Sequence, residues 1–214
     1  MTLVVPIPCV MLVTDRAVSG GVEPLIEKIR EAVSCGVDMV QVREGDMPLV
    51  EHLELVQKVR VITKDRALLV VNDRVDIALS AGADGVHLTE KSLSIDTVRE
   101  LLRGREMIIG RSIHNSFSVG EIDPDYFLAG PIYKTQTHPD SVPIGTNELI
   151  EMLSLAQSPI LAIGGINSEN VLDVMSMGVQ GVAAIRGVLE ASGDEIRQFT
   201  ESVKAHFRGV SPDD

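Results

Sequence analysis

The chain reads as an α/β protein of one domain, a (β/α)₈ TIM barrel. Apolar runs and amphipathic helical patterns alternate from end to end. The apolar runs are near-continuous rather than alternating, as strands covered on both faces read. A three-fold internal echo, AVSCGVDMVQV, ALSAGADGVHL and VMSMGVQGVAAI, repeats a helix end, a glycine and a buried strand. At 214 residues, 44% of them hydrophobic, the chain is long enough for one such closed core.

Eight strands are expected: Cys9–Thr14, Met39–Arg43, Leu68–Asn72, Gly85–Leu88, Met107–Ser112, Tyr126–Pro131, Ile160–Gly164 and Gly181–Ile185. Between them, VEPLIEKIREAV sets Leu25, Ile29, Ala32 and Val33 on one helix face. PLVEHLELVQKVRVI groups Leu49, Leu53, Val56, Val59 and Val61, leaving His52 on the surface. SIDTVRELL, NELIEMLSLA and SENVLDVMSMG follow, and EIRQFTESVKAHF closes the chain. The fifth connection, Asn115 to Ile122, carries the weakest helix pattern because Gly120 interrupts it. A doubly wound open sheet is the rival fold, but TDRAVSGG after the first strand offers no GxGxxG turn. The barrel is expected over 1–209, with 210–214 a frayed tail.

Composition narrows the function. A formal net charge of −12 argues against general nucleic-acid binding. Cys9 and Cys35 form no disulfide framework and read as small core residues, so a reducing, cytoplasmic setting is the default. The apolar N-terminus MTLVVPIPCVMLV lacks a basic leader and is interrupted by Pro6 and Pro8, so it reads as leading into a first strand rather than as a signal peptide, and no later run is long enough to span a membrane. Barrels of this size often pair, and a homodimer is compatible with the chain.

In this fold the C-terminal strand ends form the active face. They carry Gln41, Arg43 and Glu44; Asn72, Asp73 and Arg74; His87; Arg111, Ser112 and His114; Tyr133 and Lys134. An acidic protein thus gathers Arg43, Arg74, Arg111, Lys134 and Arg186 on one expected rim, which suits an anionic small molecule. Gly164 and Gly165 end the seventh strand and precede a helix expected to open near Asn167 and Ser168, while Arg186 and Gly187 end the eighth. The loops after strands seven and eight are the usual phosphate site of such barrels, because glycine lets a ligand reach backbone N–H groups. Asp73 suits either Mg²⁺ ligation or capping of the next helix. His114 suits proton transfer, with a roleless loop histidine as the alternative, and His87 suits a core position. The polar segment Lys134–Gly145 suits a lid or a plain surface loop.

The stretches MLVTDR, VQVRE, VVNDRVDIALSAGADGVHL, IIGRSIHN, DYFLAGPIYKTQT, ILAIGGIN and GVAAIRGV resemble the thiamine phosphate synthase/TenI superfamily over nearly the whole chain. In the synthase branch, which uses Mg²⁺, the resemblance implies Gln41 and Arg43 at a pyrimidine diphosphate site and Asn72 with Asp73 at pyrophosphate and metal. It further implies Ser112 at the centre, Thr135 and Thr137 in a mobile loop, and Gly165, Arg186 and Gly187 at a thiazole phosphate. Three positions depart from the synthase pattern: Gly45 and His138 stand where lysines are expected, and Ser92 where a second metal-binding aspartate is expected. GRSIH resembles instead the TenI-like branch, a thiazole tautomerase that needs no cofactor. The expectation is therefore an isomerase of a phosphorylated thiazole carboxylate, with His114 as acid–base group, Arg43 and Arg111 on the carboxylate, and Lys134 near the ligand. The synthase is the alternative, and a catalytically silent binder of a thiamine precursor is a third.

Overall fold

The computed structural model describes residues 3–120, 122–136 and 141–209. Eight parallel strands close on themselves in sequence order: β1 (Cys9–Val13), β2 (Met39–Val42), β3 (Leu68–Asn72), β4 (Gly85–Leu88), β5 (Ile108–Ile113), β6 (Tyr126–Ala129), β7 (Ile160–Ile163) and β8 (Gly181–Ala184). Closure is made by β8 on β1, with Cys9 opposite Gly181 and Leu12 opposite Ala184. The expected (β/α)₈ barrel is therefore the observed fold.

The helices among the described residues are α1 (Arg16–Ser19), α2 (Val22–Ser34), α3 (Leu49–Thr63), α4 (Val75–Ala81), α5 (Ile95–Leu101), α6 (Gly145–Leu155), α7 (Val171–Met175), α8 (Arg186–Leu189) and α9 (Gly193–Gly209). The fifth unit has no α-helix; a 3₁₀ turn at Ser116–Ser118 replaces it, and the Glu148 carboxylate accepts the Ser116 N–H. No helix among the described residues is long and apolar enough to cross a membrane.

Alternation along each strand divides the core in two. Inward positions such as Met11, Met39, Val70, Ile108, Tyr126, Leu128 and Leu161 fill the barrel. Outward positions such as Leu12, Val40, Val71, Ile109 and Val182 join the larger layer beneath the helices. Cys9 lies in the first cluster and Cys35 in the second, both as buried free thiols.

The internal echo has a physical basis at the barrel floor. Gly36, Gly82 and Gly178 take φ of 97°, 64° and 95°, the left-handed turn that brings a helix end back to a strand. The residues just beyond them latch the preceding strand. Asp38 accepts the Val10 N–H at 2.9 Å, Asp84 that of Leu69 at 2.7 Å, and Gln180 that of Ile160 at 2.8 Å. Asp125 does the same for Ile109 at 2.7 Å without a preceding glycine. Each even-numbered strand thus enters the sheet holding its odd-numbered predecessor.

On α3 the expected face is shifted. His52, Leu55, Val56, Val59 and Ile62 are buried, while Leu49 and Val61 are exposed. Spacings of three and four from Leu55 and Val56 place His52 inward, so an imidazole occupies a position the apolar letters alone did not mark.

Candidate active site at the barrel mouth

Above the apolar filling, the inward parity continues into polar groups. Gln41, Asn72, His87 and Ser112 all face a cavity of about 200 Å³ at the C-terminal mouth, together with Arg43 and His114. The strand ends deliver these side chains because each continues its strand's inward parity by two positions: Met39 to Gln41, Val70 to Asn72, Gly85 to His87 and Gly110 to Ser112.

Two polar pairs define this cavity. The Gln41 Nε2 donates to Asn72 Oδ1 at 2.9 Å. Gln41 is 1% exposed, and among the described residues its Oε1 has no hydrogen-bond partner. A buried carbonyl oxygen without a donor is costly, and it marks a place where a ligand N–H is wanted. Across the mouth, His87 bridges two hydroxyls, with Nδ1 3.0 Å from Tyr126 Oη and Nε2 2.8 Å from Ser112 Oγ. Burial, with Arg111 and Arg43 adding to it, pushes the His87 pKa down to about 3, so the ring is neutral at physiological pH. Gly110 makes room for this pair, since a Cβ there would lie 2.1 Å from the Tyr126 ring.

His114 stands at the cavity edge, exposed, just beyond β5. Its Nδ1 contacts the Gly130 carbonyl oxygen. A carbonyl only accepts, so Nδ1 carries a proton, and it is Nε2 that can exchange one with a ligand.

A second cavity, of about 340 Å³, lies over the loops after β7 and β8. It is lined by Gly164, Gly165, Arg186 and Gly187, with Lys134 and Glu190 at its sides. Gly164 and Gly165 have φ of 107° and 68°, and Cβ atoms on them would lie 2.6 Å from Pro131 and 2.8 Å from Tyr133. Gly187 faces the same constraint against the Ile166 carbonyl, at 2.3 Å. Glycine is required at all three for the loops to close on one another. The α7 helix begins at Val171 rather than near Asn167: Asn170 Oδ1 accepts the Asn167 N–H at 3.0 Å and Asn170 Nδ2 donates to the Gly165 carbonyl at 2.9 Å, holding the loop open for one more turn. Arg186 is ion-paired with Glu190, while its buried Nε has no partner among the described residues. The two cavities share Thr135, Ile163, Gly164 and Ile185 and so form one continuous mouth.

A groove of about 630 Å³ extends this mouth over the β1 and β2 loops, with Arg43 and Asn72 common to groove and cavity. Glu44, 3% exposed, organises its wall: it accepts from Thr14 Oγ1 at 2.7 Å, from the Arg16 N–H, and from the Arg16 guanidinium at 3.0 Å. Asp46 holds the other side of Arg16 at 2.6 Å.

Not every expected residue joins the mouth. Arg111 falls between Gly110 and Ser112 and has the outward parity of Ile109 and Ile113, which pack in the outer core. It lines none of the three cavities described, so strand alternation takes it away from the ligand position expected of it. Arg74 folds back on Asp76 at 2.5 Å. Of the five expected rim cations, Arg43, Lys134 and Arg186 line the mouth. Thr137 and His138 lie outside the described residues, as do 210–214.

Asp73 ends β3 in an exposed position with φ of 63°, a strained conformation for a side-chain-bearing residue. It does not cap α4, which starts without a side-chain cap bond. No group of three His, Cys, Asp or Glu residues able to cage a metal occurs among the described residues. Ser92, at the position of the second aspartate, is engaged by Thr89 at 2.7 Å and 3.0 Å. One carboxylate still fits Mg²⁺, which takes one or two carboxylates and completes its shell with substrate oxygens and water. The donor set therefore suits an ion held jointly with a diphosphate.

Sequence reasoning passed over Tyr126 and understated His87 and Glu44, whose partners lie 25 to 39 residues away. The inward parity of His87 with Gly85 was the available signal for one of them.

Comparison with known proteins identifies the family. The thiamine monophosphate synthase family model matches residues 10–188. The thiamine-phosphate synthase of Clostridium acetobutylicum is 37% identical over 199 residues, covering 90% of this chain and 93% of that protein. That of Syntrophomonas wolfei is 38% identical over 189 residues, covering 86% and 90%. The thiamine phosphate pyrophosphorylase structure from Pyrococcus furiosus superposes with a TM-score of 0.82 at 30% identity, covering 92% of this chain and 96% of that one. A barrel whose polar mouth is built by the family's own motifs, and which matches these relatives along most of its length, belongs to the thiamine monophosphate synthase family.

Proposed function

We propose that the chain is a thiamine phosphate synthase. It would join the methylene carbon of hydroxymethylpyrimidine diphosphate to the ring nitrogen of a thiazole phosphate. The carbon–oxygen bond to diphosphate breaks, its electron pair leaves with pyrophosphate, and the carbon–nitrogen bond forms. This reverses the preference that the sequence motifs suggested, and two things support the reversal. Relatives at 33–38% identity carry the synthase name. The observation that carries the reading is Gln41 Oε1, a buried acceptor beside Asn72 that finds no donor among the described residues. An aminopyrimidine offers that donor; a thiazole carboxylate has no N–H to give.

The rest of the mouth then has work. The β7 and β8 loops hold the thiazole phosphate through backbone N–H groups and Arg186. The shared wall at Gly164 brings that ring toward the pyrimidine, and alignment of two bound reactants supplies much of such a rate enhancement. Arg43, common to cavity and groove, offsets the charge of the departing diphosphate. Asp73 would hold Mg²⁺, which when bound neutralises diphosphate oxygens. Lys134 supplies cationic charge near the mouth in the absence of a lysine at Gly45.

The test is release of pyrophosphate from the two substrates with Mg²⁺, which EDTA should abolish. Absence of pyrophosphate under those conditions would overturn the reading. One observation favours a second reading, the thiazole isomerase: His114 has its Nδ1–H held by Gly130 and its Nε2 left to exchange a proton, as a proton carrier requires. That reading requires isomerisation that survives EDTA and falls in His114→Ala.

A further inference from the structure

The Tyr126–His87–Ser112 chain does more than fill the barrel. Tyr126 is fully buried, and among the described residues its hydroxyl has one hydrogen-bond partner, His87 Nδ1. A neutral imidazole has a single N–H, so its two contacts must run in opposite senses. If Nδ1 carried the proton, the Tyr126 O–H would point into the apolar filling with nothing to accept it. If Nε2 carries it, the phenol donates to Nδ1, Nε2–H donates to Ser112 Oγ at 2.8 Å, and both the phenol and the imidazole are satisfied. The Ser112 hydroxyl proton is then left free, and Ser112 lines the cavity.

We propose that Tyr126 and His87 are positioning residues that fix Ser112 as a hydrogen-bond donor into the cavity, so that the ligand atom it meets is an acceptor such as an unprotonated ring nitrogen. Ser112 would otherwise be indifferent, since a hydroxyl donates or accepts equally well. With Gln41 Oε1 offered as an acceptor in the same cavity, the mouth selects a ring that carries both an N–H donor and a lone pair. This deepens the synthase reading and rests on it for the identity of the ligand, whereas the tautomer is a property of the protein alone.

The decisive experiment is ¹⁵N NMR of the histidine rings, with hydroxymethylpyrimidine diphosphate as the binding probe. The wild-type His87 ring is expected in the Nε2–H form, unchanged from pH 6 to 8. Tyr126→Phe, which keeps the ring volume, should shift it toward Nδ1–H and weaken the probe about tenfold. The same substitution should have no further effect in a Ser112→Ala background, because its action runs through Ser112. An Nδ1–H ring in the wild type overturns the inference, as does a Tyr126→Phe loss that persists without Ser112. If Tyr126→Phe fails to fold, the wild-type tautomer still decides. Failure of the wild type to bind the probe would sink the synthase reading and leave the tautomer to judge the inference separately.

Discussion

Gly187→Ala is the sharpest perturbation of the mouth. Gly187 lies at the start of α8, and a Cβ on it would sit 2.3 Å from the Ile166 carbonyl oxygen and 3.2 Å from Asn167 Cα. Ordinary carbon–oxygen approach stops near about 3.3 Å, so the β7 and β8 loops must part by about 1 Å. No left-handed backbone is involved at this position, so the whole effect is steric, unlike that at Gly165. Forcing one extra carbon into a closed contact costs about 1–3 kcal/mol. For a chain of this size that lowers the melting temperature by roughly 2–12 °C. The same displacement misaligns N–H groups toward a phosphate, where a charged hydrogen bond is worth about 1.5–3 kcal/mol, or roughly ten- to a hundredfold in affinity. Calorimetric titration with thiazole phosphate and a thermal scan read both effects. A Gly187→Ala protein that melts like the wild type and binds with full affinity would refute the packing of these loops and the phosphate site placed on them.

Other perturbations separate stability from chemistry. Glu44→Ala strands the buried Thr14 hydroxyl and takes one of two carboxylates from Arg16, which keeps Asp46, and should cost about 1–3 kcal/mol in urea unfolding; a loss below about 0.5 kcal/mol would show that Glu44 does not organise the groove. His87 is held near pKa 3 against an ordinary 6.5, so between those values the unfolded chain binds a proton that the folded one refuses. Stability is then full above pH 6.5 and is lost as pH falls toward 3, by about 4–5 kcal/mol in all; His52, lowered by burial, adds in the same direction. His87→Gln should flatten that slope, and an unchanged slope would place the titration elsewhere. Asp73→Gly relieves a left-handed backbone worth about 1 kcal/mol and should preserve or raise the melting temperature while depressing Mg²⁺-dependent pyrophosphate release; unchanged release would remove Asp73 from the site.

The barrel was legible because its signals are local. Continuous apolar runs, and a glycine before Asp38, Asp84 and Gln180, follow from how one strand leaves a helix and latches its neighbour. Gln41, Asn72 and Ser112 were found because strand ends carry them to the mouth. Arg111 was misplaced by treating a strand end as a cluster; period-two alternation beside Ser112 turns it outward. The α7 start was read one turn early because the Asn167–Asn170 side-chain bonds compete with the helix. The partners of His87, Tyr126 and Glu44 are met only after closure: period-two parity marks His87 as inward, but no local pattern names the groups it meets.

A crystal structure of the protein with thiazole phosphate bound tests the whole reading of the mouth most directly. The phosphate should rest on the backbone of Gly165 and Gly187 beside Arg186, with the thiazole ring turned toward Gln41 and Ser112. A phosphate seated in the groove between Arg16 and Arg43, with the β7 and β8 loops empty, would contradict it.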